Sequence, residues 1–177
     1  MKILFASQNQ NKLEEIRALF PKFITLVGLN DLGFNEDIPE TADTLEGNAL
    51  QKAHYLSQTI DFPIFSDDTG LEIESLNGEP GVYSARYGLP EFDDAGRRKF
   101  LLEEMADVPI EQRSARFRCV IAVYDPNTDT SYTVDGACEG VILTEEKDAG
   151  KGFGYDAVFQ PLGFDKTFGE LSADEKN

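Results

Sequence analysis

The chain has 177 residues, 41% of them hydrophobic and 28% charged, with 13 Phe and 6 Tyr. That is the size and make-up of one globular domain with a packed core, and it excludes a disordered chain, which would lack the aromatics. A net charge of −17 excludes a general nucleic-acid binder, which needs surplus Lys and Arg, but leaves room for a small anion held by local positive charge.

Residues 3–6 (Ile-Leu-Phe-Ala) read as a short buried strand, too short an apolar run for a signal peptide or a membrane span. The polar run Ser7-Gln8-Asn9-Gln10-Asn11-Lys12 follows, and then Leu13, Ile16, Leu19 and Phe20 recur at helical spacing. This strand, polar loop and helix would suit a phosphate, because a helix N-terminus offers unpaired N–H groups and Lys12 adds a full charge. The alternative is a capping loop with a solvated lysine. Residues 23–29 read as a second strand and 30–41 as an acidic loop. Asp43 is the expected cap of a second helix, with Glu46 closing a capping box and Leu50, Ala53 and Leu56 on the inner stripe. His54 on that helix lacks a second His or Cys at metal-ligand spacing and reads as a surface or structural residue.

Residues 63–65 read as a strand running into Ser66-Asp67-Asp68-Thr69-Gly70, with another strand at 71–73. Successive strand residues face opposite ways, so Asp67 and Asp68 should not address one site. Mg²⁺ takes one or two carboxylates together with substrate phosphates and water, which makes Asp68 and Glu40 candidate ligands. Taken alone, the segment reads rather as an Asx-type turn. Asp68-Thr69-Gly70 also matches the aspartic-protease triplet, but a single copy on an α/β pattern argues against that chemistry.

Asp93 or Asp94 should cap a helix carrying Phe100, Leu101, Leu102 and Met105. Residues 116–124 form the strongest strand pattern, ended by Asp125-Pro126-Asn127, with 131–138 returning as its hairpin partner. Cys119 and Cys138 have no CxxC spacing and read as reduced core residues. In Gly152-Phe153-Gly154-Tyr155-Asp156 the glycines permit a tight backbone, the aromatics offer faces to a base, and Asp156 offers an acceptor; the alternative is a hairpin or loop whose aromatics plug the core. A short strand is expected at 157–159. Ser172 and Glu175 form a capping box for a helix that begins just before Asn177. Strands alternating with helices, plus one hairpin, predict an α/β fold with a mixed sheet.

The order of these segments is more telling than any one of them. Ser7 to Lys12, Glu40-Thr41, Asn48-Ala49, Lys52-Ala53, Ser66 to Leu71, Gly78-Glu79-Pro80-Gly81-Val82-Tyr83-Ser84-Ala85-Arg86-Tyr87, Gly152 to Asp156, Glu170-Leu171-Ser172 and Glu175-Lys176-Asn177 together resemble the inosine triphosphate pyrophosphatase family. The resemblance implies an elongated mixed sheet flanked by helices, two lobes around a deep cleft, and usually a homodimer, while the reduced cysteines fit a cytoplasmic protein. It implies Mg²⁺-dependent hydrolysis of ITP, dITP or XTP to the monophosphate and pyrophosphate, or a nucleotide-binding homologue with little turnover. By position, Ser7, Gln8, Asn9, Gln10, Asn11 and Lys12 would hold the triphosphate, and Lys52 would add positive charge. Asp68 would bind the metal and position or deprotonate water, with Glu40 as the other ligand. Thr69 would touch the substrate, while Phe153, Gly154, Tyr155, Asp156 and Lys176 would surround the purine. Arg86 is a weaker phosphate candidate. The family usually has Pro where Ala157 stands, and continues past Glu-Lys-Asn into a Ser-His-Arg motif and a last helix. The expectation is therefore one pyrophosphatase domain over 1–177 without that segment.

Overall fold

The computed structural model describes residues 1–147, 150 and 152–176. Its strands are β1 (Lys2–Phe5), β2 (Thr25–Gly28), β3 (Ile64–Ile73), β4 (Pro80–Gly81), β5 (Ser114–Asp125), β6 (Thr130–Ile142) and β7 (Phe159–Pro161). Its helices are α1 (Gln10–Leu19), α2 (Leu45–Leu56), α3 (Asp94–Glu104) and α4 (Ala173–Lys176). The strands form one sheet in the order β2-β1-β3-β5-β6-β7, with β4 against β3. β1 is parallel to β2 and β3, whereas β4 and β7 are antiparallel to β3 and β6. The connection from β5 to β6 is far too short for a parallel crossover, so these two neighbours are antiparallel. The expected mixed α/β fold is present.

Two compact units divide the chain: residues 1–68 with 119–135, and residues 69–118 with 136–177. In the first, strand alternation sorts the core. Ile3 and Phe5 pack with Leu13 and Phe65, and Leu4 and Ala6 pack with Ala53, Leu56 and Ile64. The Phe5 and Phe65 rings stack at 4.6 Å. Each fully buried Phe or Leu contributes about 1.5–3 kcal/mol. In the second unit, Leu71 and Ile73 of β3 join Leu101, Met105, Ile142, Val158 and Phe159. Asp93 caps α3 by accepting the Gly96 N–H at 2.8 Å, as one of the two sequence alternatives has it.

Several expectations need correction. Thr44, not Asp43, caps α2: it is extended, and its hydroxyl accepts the Gly47 N–H at 3.0 Å. The second strand starts later than expected, at Thr25, and Phe23 is 75% exposed. Leu19 also leaves the helical stripe for solvent. Residues 66–70 form no turn. They lie inside β3, which pairs with β1 at Ile64 and Phe65 and with β4 at Leu71 and Glu72. Pairing at both ends carries the strand through residues that locally favour a turn. The strand expected at 157–159 is β7, shifted to 159–161. Both cysteines are only half-buried, not core residues. The Ser172 box forms as expected, with Ser172 N–H donating to Glu175 Oε2 at 2.9 Å and Glu175 N–H donating to Ser172 Oγ at 3.3 Å.

Candidate active site

In the first unit, α2 carries two polar residues on its buried stripe, Asn48 and Lys52, one turn apart. Both reach Asp68. Asn48 Nδ2 donates to Asp68 Oδ2 at 3.1 Å, and Lys52 Nζ stands 3.9 Å from Asp68 Oδ1. The same ammonium donates to Glu40 Oε1 at 2.5 Å. Asn48 Oδ1 accepts the Ala42 N–H at 2.9 Å, which ties the chain just beyond Glu40 to the same helix. Two carboxylates thus converge on one positive charge. Burial pushes the Asp68 carboxyl above the ordinary aspartate range, and Glu40 adds to this, while Lys52, Asn48 and Lys12 pull it back without cancelling it.

Asp67, one residue earlier on β3, faces elsewhere and pairs with Lys12. The two carboxylates are separated as strand alternation requires. Burial disfavours the Lys12 ammonium, but Asp67, and more weakly Cys119 and Asp68, outweigh it and hold its pKa above the ordinary lysine value. The polar run ahead of Lys12 does capping work. Asn9 Oδ1 accepts the Lys12 N–H at 3.3 Å, and Ser7 Oγ accepts the Asn9 N–H at 3.2 Å. Gln8 Nε2 donates to the Glu36 carbonyl at 2.8 Å, Gln10 is exposed, and Asn11 lies in the first turn of α1. Among the described residues, no three His, Cys, Asp or Glu side chains gather as a metal cluster. Glu40 and Asp68 stand as two carboxylates beside the same Lys52 ammonium.

Thr69 begins the second unit and is half-buried. There, Asp156 is 5% exposed and accepts from Lys176 Nζ at 2.8 Å and from the Phe153 N–H at 3.1 Å. The Lys176 ammonium also stands over the Phe153 and Phe168 rings, at 5.0 and 5.5 Å. Gly152 is required by close approach: a Cβ there would stand 2.6 Å from Asp156 Cβ. Tyr155 is buried and donates to the Ser84 carbonyl at 2.9 Å, a structural contact within the core. Arg86 is exposed, 5.1 Å from the Tyr83 ring. His54 is exposed too, against Tyr124. A cavity of about 300 Å³ beside Glu72, Glu74, Arg116 and Glu139 contains none of the expected site residues.

Sequence reasoning assigned no role to Asn48 or Asp67. The signal for Asn48 was available, because a polar residue four positions before Lys52 on an apolar stripe calls for a buried partner.

Two carboxylates gathered around a buried lysine and asparagine on a mixed α/β scaffold are the class of site these residues define. The chain belongs to the Ham1 family, whose model matches residues 3–177. It is 47% identical to the dITP/XTP pyrophosphatase of Christiangramia forsetii, over 100% of this chain and 90% of that protein. It is 48% identical to the enzyme of the same name from Porphyromonas gingivalis, over 99% and 89%. The solved HAM1 protein of Coxiella burnetii superposes with a TM-score of 0.89 at 36% identity, covering 100% of this chain and 90% of that one. The family-level resemblance in the motifs is borne out.

Proposed function

We propose that this protein is a nucleoside-triphosphate pyrophosphatase that hydrolyses dITP, ITP and XTP to the monophosphate and pyrophosphate. The family match spans both units, so residues 1–177 are taken as one pyrophosphatase domain. Within the chain, the observation that carries the reading is the convergence of Glu40 and Asp68 on the Lys52 ammonium.

A polyanion approaching a chain of net charge −17 needs local neutralisation. Lys12 and Lys52 supply part of it, beside the polar run Ser7 to Lys12. Glu40 and Asp68 would hold Mg²⁺. When bound, the ion supplies polarisation of the phosphoryl oxygens and stabilises the leaving pyrophosphate. Asp68 orients a water molecule and takes its proton. The water oxygen bonds to the α phosphorus as the bond from that phosphorus to the α–β bridging oxygen breaks, and pyrophosphate leaves with the electron pair. Thr69 contacts the substrate. Phe153 offers its face to the purine, and Lys176, oriented by Asp156, donates to the 6-oxo group. Against adenine's amino group that donor stays unpaired, which is the physical basis for rejecting ATP. A homodimer, as the resemblance implies, in the cytoplasm, where reduced cysteines belong, completes the proposal; sedimentation tests the dimer.

The test is pyrophosphate release from dITP, XTP, dGTP and dATP with Mg²⁺ and with a chelator. Turnover of dITP and XTP at least about 100-fold above dATP is expected, and chelation should abolish it. No release from either substrate would overturn the reading, and binding without release would favour a non-turning homologue.

Asn48→Ala is expected to move the acid limb of the kcat/KM profile to higher pH. Asn48 donates to the charged form of Asp68, so its loss raises the Asp68 pKa and a higher pH is needed to ionise the carboxylate. A profile for dITP measured on both proteins checks this; an unmoved limb would mean that Asp68 ionisation does not govern the rate.

A further inference from the structure

We infer that Asp94 and Arg98 of α3 are positioning residues for base recognition, acting by gripping both polar groups of Gly154. The inference rests on the reading above, in which Phe153, Asp156 and Lys176 receive the purine.

Asp94 and Arg98 lie four residues apart, so their side chains rise from one face of the helix. Asp94 Oδ2 accepts the Gly154 N–H at 2.9 Å, and Arg98 Nη1 donates to the Gly154 carbonyl at 2.8 Å. Each gripping group is itself held. Arg97 Nη2 stands 2.7 Å from Asp94 Oδ1, and Glu146 Oε2 stands 3.1 Å from Arg98 Nε. Burial alone would raise the Asp94 carboxyl, but Arg97, the Gly154 N–H and Arg98 outweigh it and hold it below the ordinary aspartate range. The carboxylate is therefore charged, and its bond to Gly154 is of the stronger, charge-assisted kind.

What is gripped needs gripping. Gly154 has φ +57°, and with Gly152 two residues earlier this stretch has more backbone freedom than side-chain-bearing residues would leave it. Its neighbours on either side are the residues assigned to the base. Phe153 precedes it, and Asp156, which bonds the Phe153 N–H and Lys176, follows two residues later. A Gly154 peptide free to rotate would carry the Phe153 ring and the Asp156–Lys176 pair away from one shared arrangement. Preorganising such groups is what converts contacts into discrimination.

The experiment compares Asp94→Ala, Asp94→Asn, Arg98→Ala and Arg98→Lys with the wild type. Binding of inosine monophosphate and of pyrophosphate is measured by calorimetry, together with kcat and KM for dITP. Asp94, with nearly half its side chain exposed, is the substitution less damaging to folding. Asp94→Ala should weaken the monophosphate about 10-fold, the range for a charge-assisted hydrogen bond, and leave pyrophosphate affinity unchanged. The loss for dITP should appear in KM more than in kcat. Asp94→Asn, whose amide oxygen still accepts the Gly154 N–H, should recover most of the affinity, and Arg98→Lys should recover part of what Arg98→Ala loses. A folded Asp94→Ala protein with wild-type monophosphate affinity would overturn the inference, as would equal weakening of both ligands. A wild-type protein that binds neither the monophosphate nor dITP would overturn the underlying functional reading, and the inference with it.

Discussion

Asp68→Asn is expected to lower kcat for dITP by at least about 100-fold, roughly the range for losing a positioned acid–base group, while the protein stays folded. The side chain is close to isosteric. Its amide oxygen still accepts from Asn48 Nδ2, the bond that orients the residue in the native protein. What disappears is the charge that faces Lys52 at 3.9 Å, and with it the capacity to take a proton from water or to serve as an anionic ligand. Because burial raises the Asp68 pKa, removing its charge also relieves a desolvation cost, so the variant should melt no lower than the wild type. Pyrophosphate release and circular dichroism read the two halves of this expectation. Turnover at the wild-type level would remove Asp68 from the chemistry.

The largest expected loss of stability lies elsewhere, at Arg113. This residue is 3% exposed and spends its guanidinium on three main-chain carbonyls: Nε donates to Val108 at 2.9 Å, Nη1 to Leu143 at 3.0 Å and Nη2 to Met105 at 2.5 Å. Burial lowers its pKa below the ordinary arginine value, yet it remains cationic at neutral pH. The fork fixes the end of α3, the loop after it and the segment following β6. Arg113→Met fills most of the volume but supplies none of the donors. At about 1–3 kcal/mol for each buried group that loses its partner, the total is about 3 kcal/mol or more. For a chain of this length that corresponds to a fall in melting temperature of about 6–12 °C. Arg113→Lys, with one compact ammonium in place of the planar fork, should melt between Arg113→Met and the wild type. Thermal unfolding checks the series, and an unchanged midpoint for Arg113→Met would show that the carbonyls find water instead.

Much of the site was legible because it follows from periodicity. The alternation of a strand separates Asp67 from Asp68 on spacing alone, and the 3.6-residue repeat places Ala53 and Leu56 on the inner stripe of α2, although that stripe runs through Asn48, Ala49 and Lys52 rather than the expected Leu50. The order of the short motifs then carried the family. Other features were hidden for identifiable reasons. Asp43 and Thr44 are both good caps by residue type, so the sequence does not choose between them, and the structure has Thr44 accepting the Gly47 N–H. Residues 66–70 carry turn chemistry and become strand only because partners at both ends of β3 pull them into register. Arg113 has no local signature, because its ligands are carbonyls contributed by segments up to thirty residues away. Asp94 and Arg98 likewise reach a loop whose distance along the chain no helical pattern reveals.

The back-to-back placement of Asp67 and Asp68 makes β3 intolerant of any change in its reading frame. Deleting or inserting a single residue between Phe65 and Asp67 would present the wrong neighbour to Lys12 and the wrong one to Lys52 and Asn48, and would turn the flanking apolar side chains over as well. Point substitutions along this strand can be graded by size and charge, but a change of length cannot be absorbed. Variation in chain length among natural or engineered versions of this protein should therefore be confined to the connections that β3 does not include.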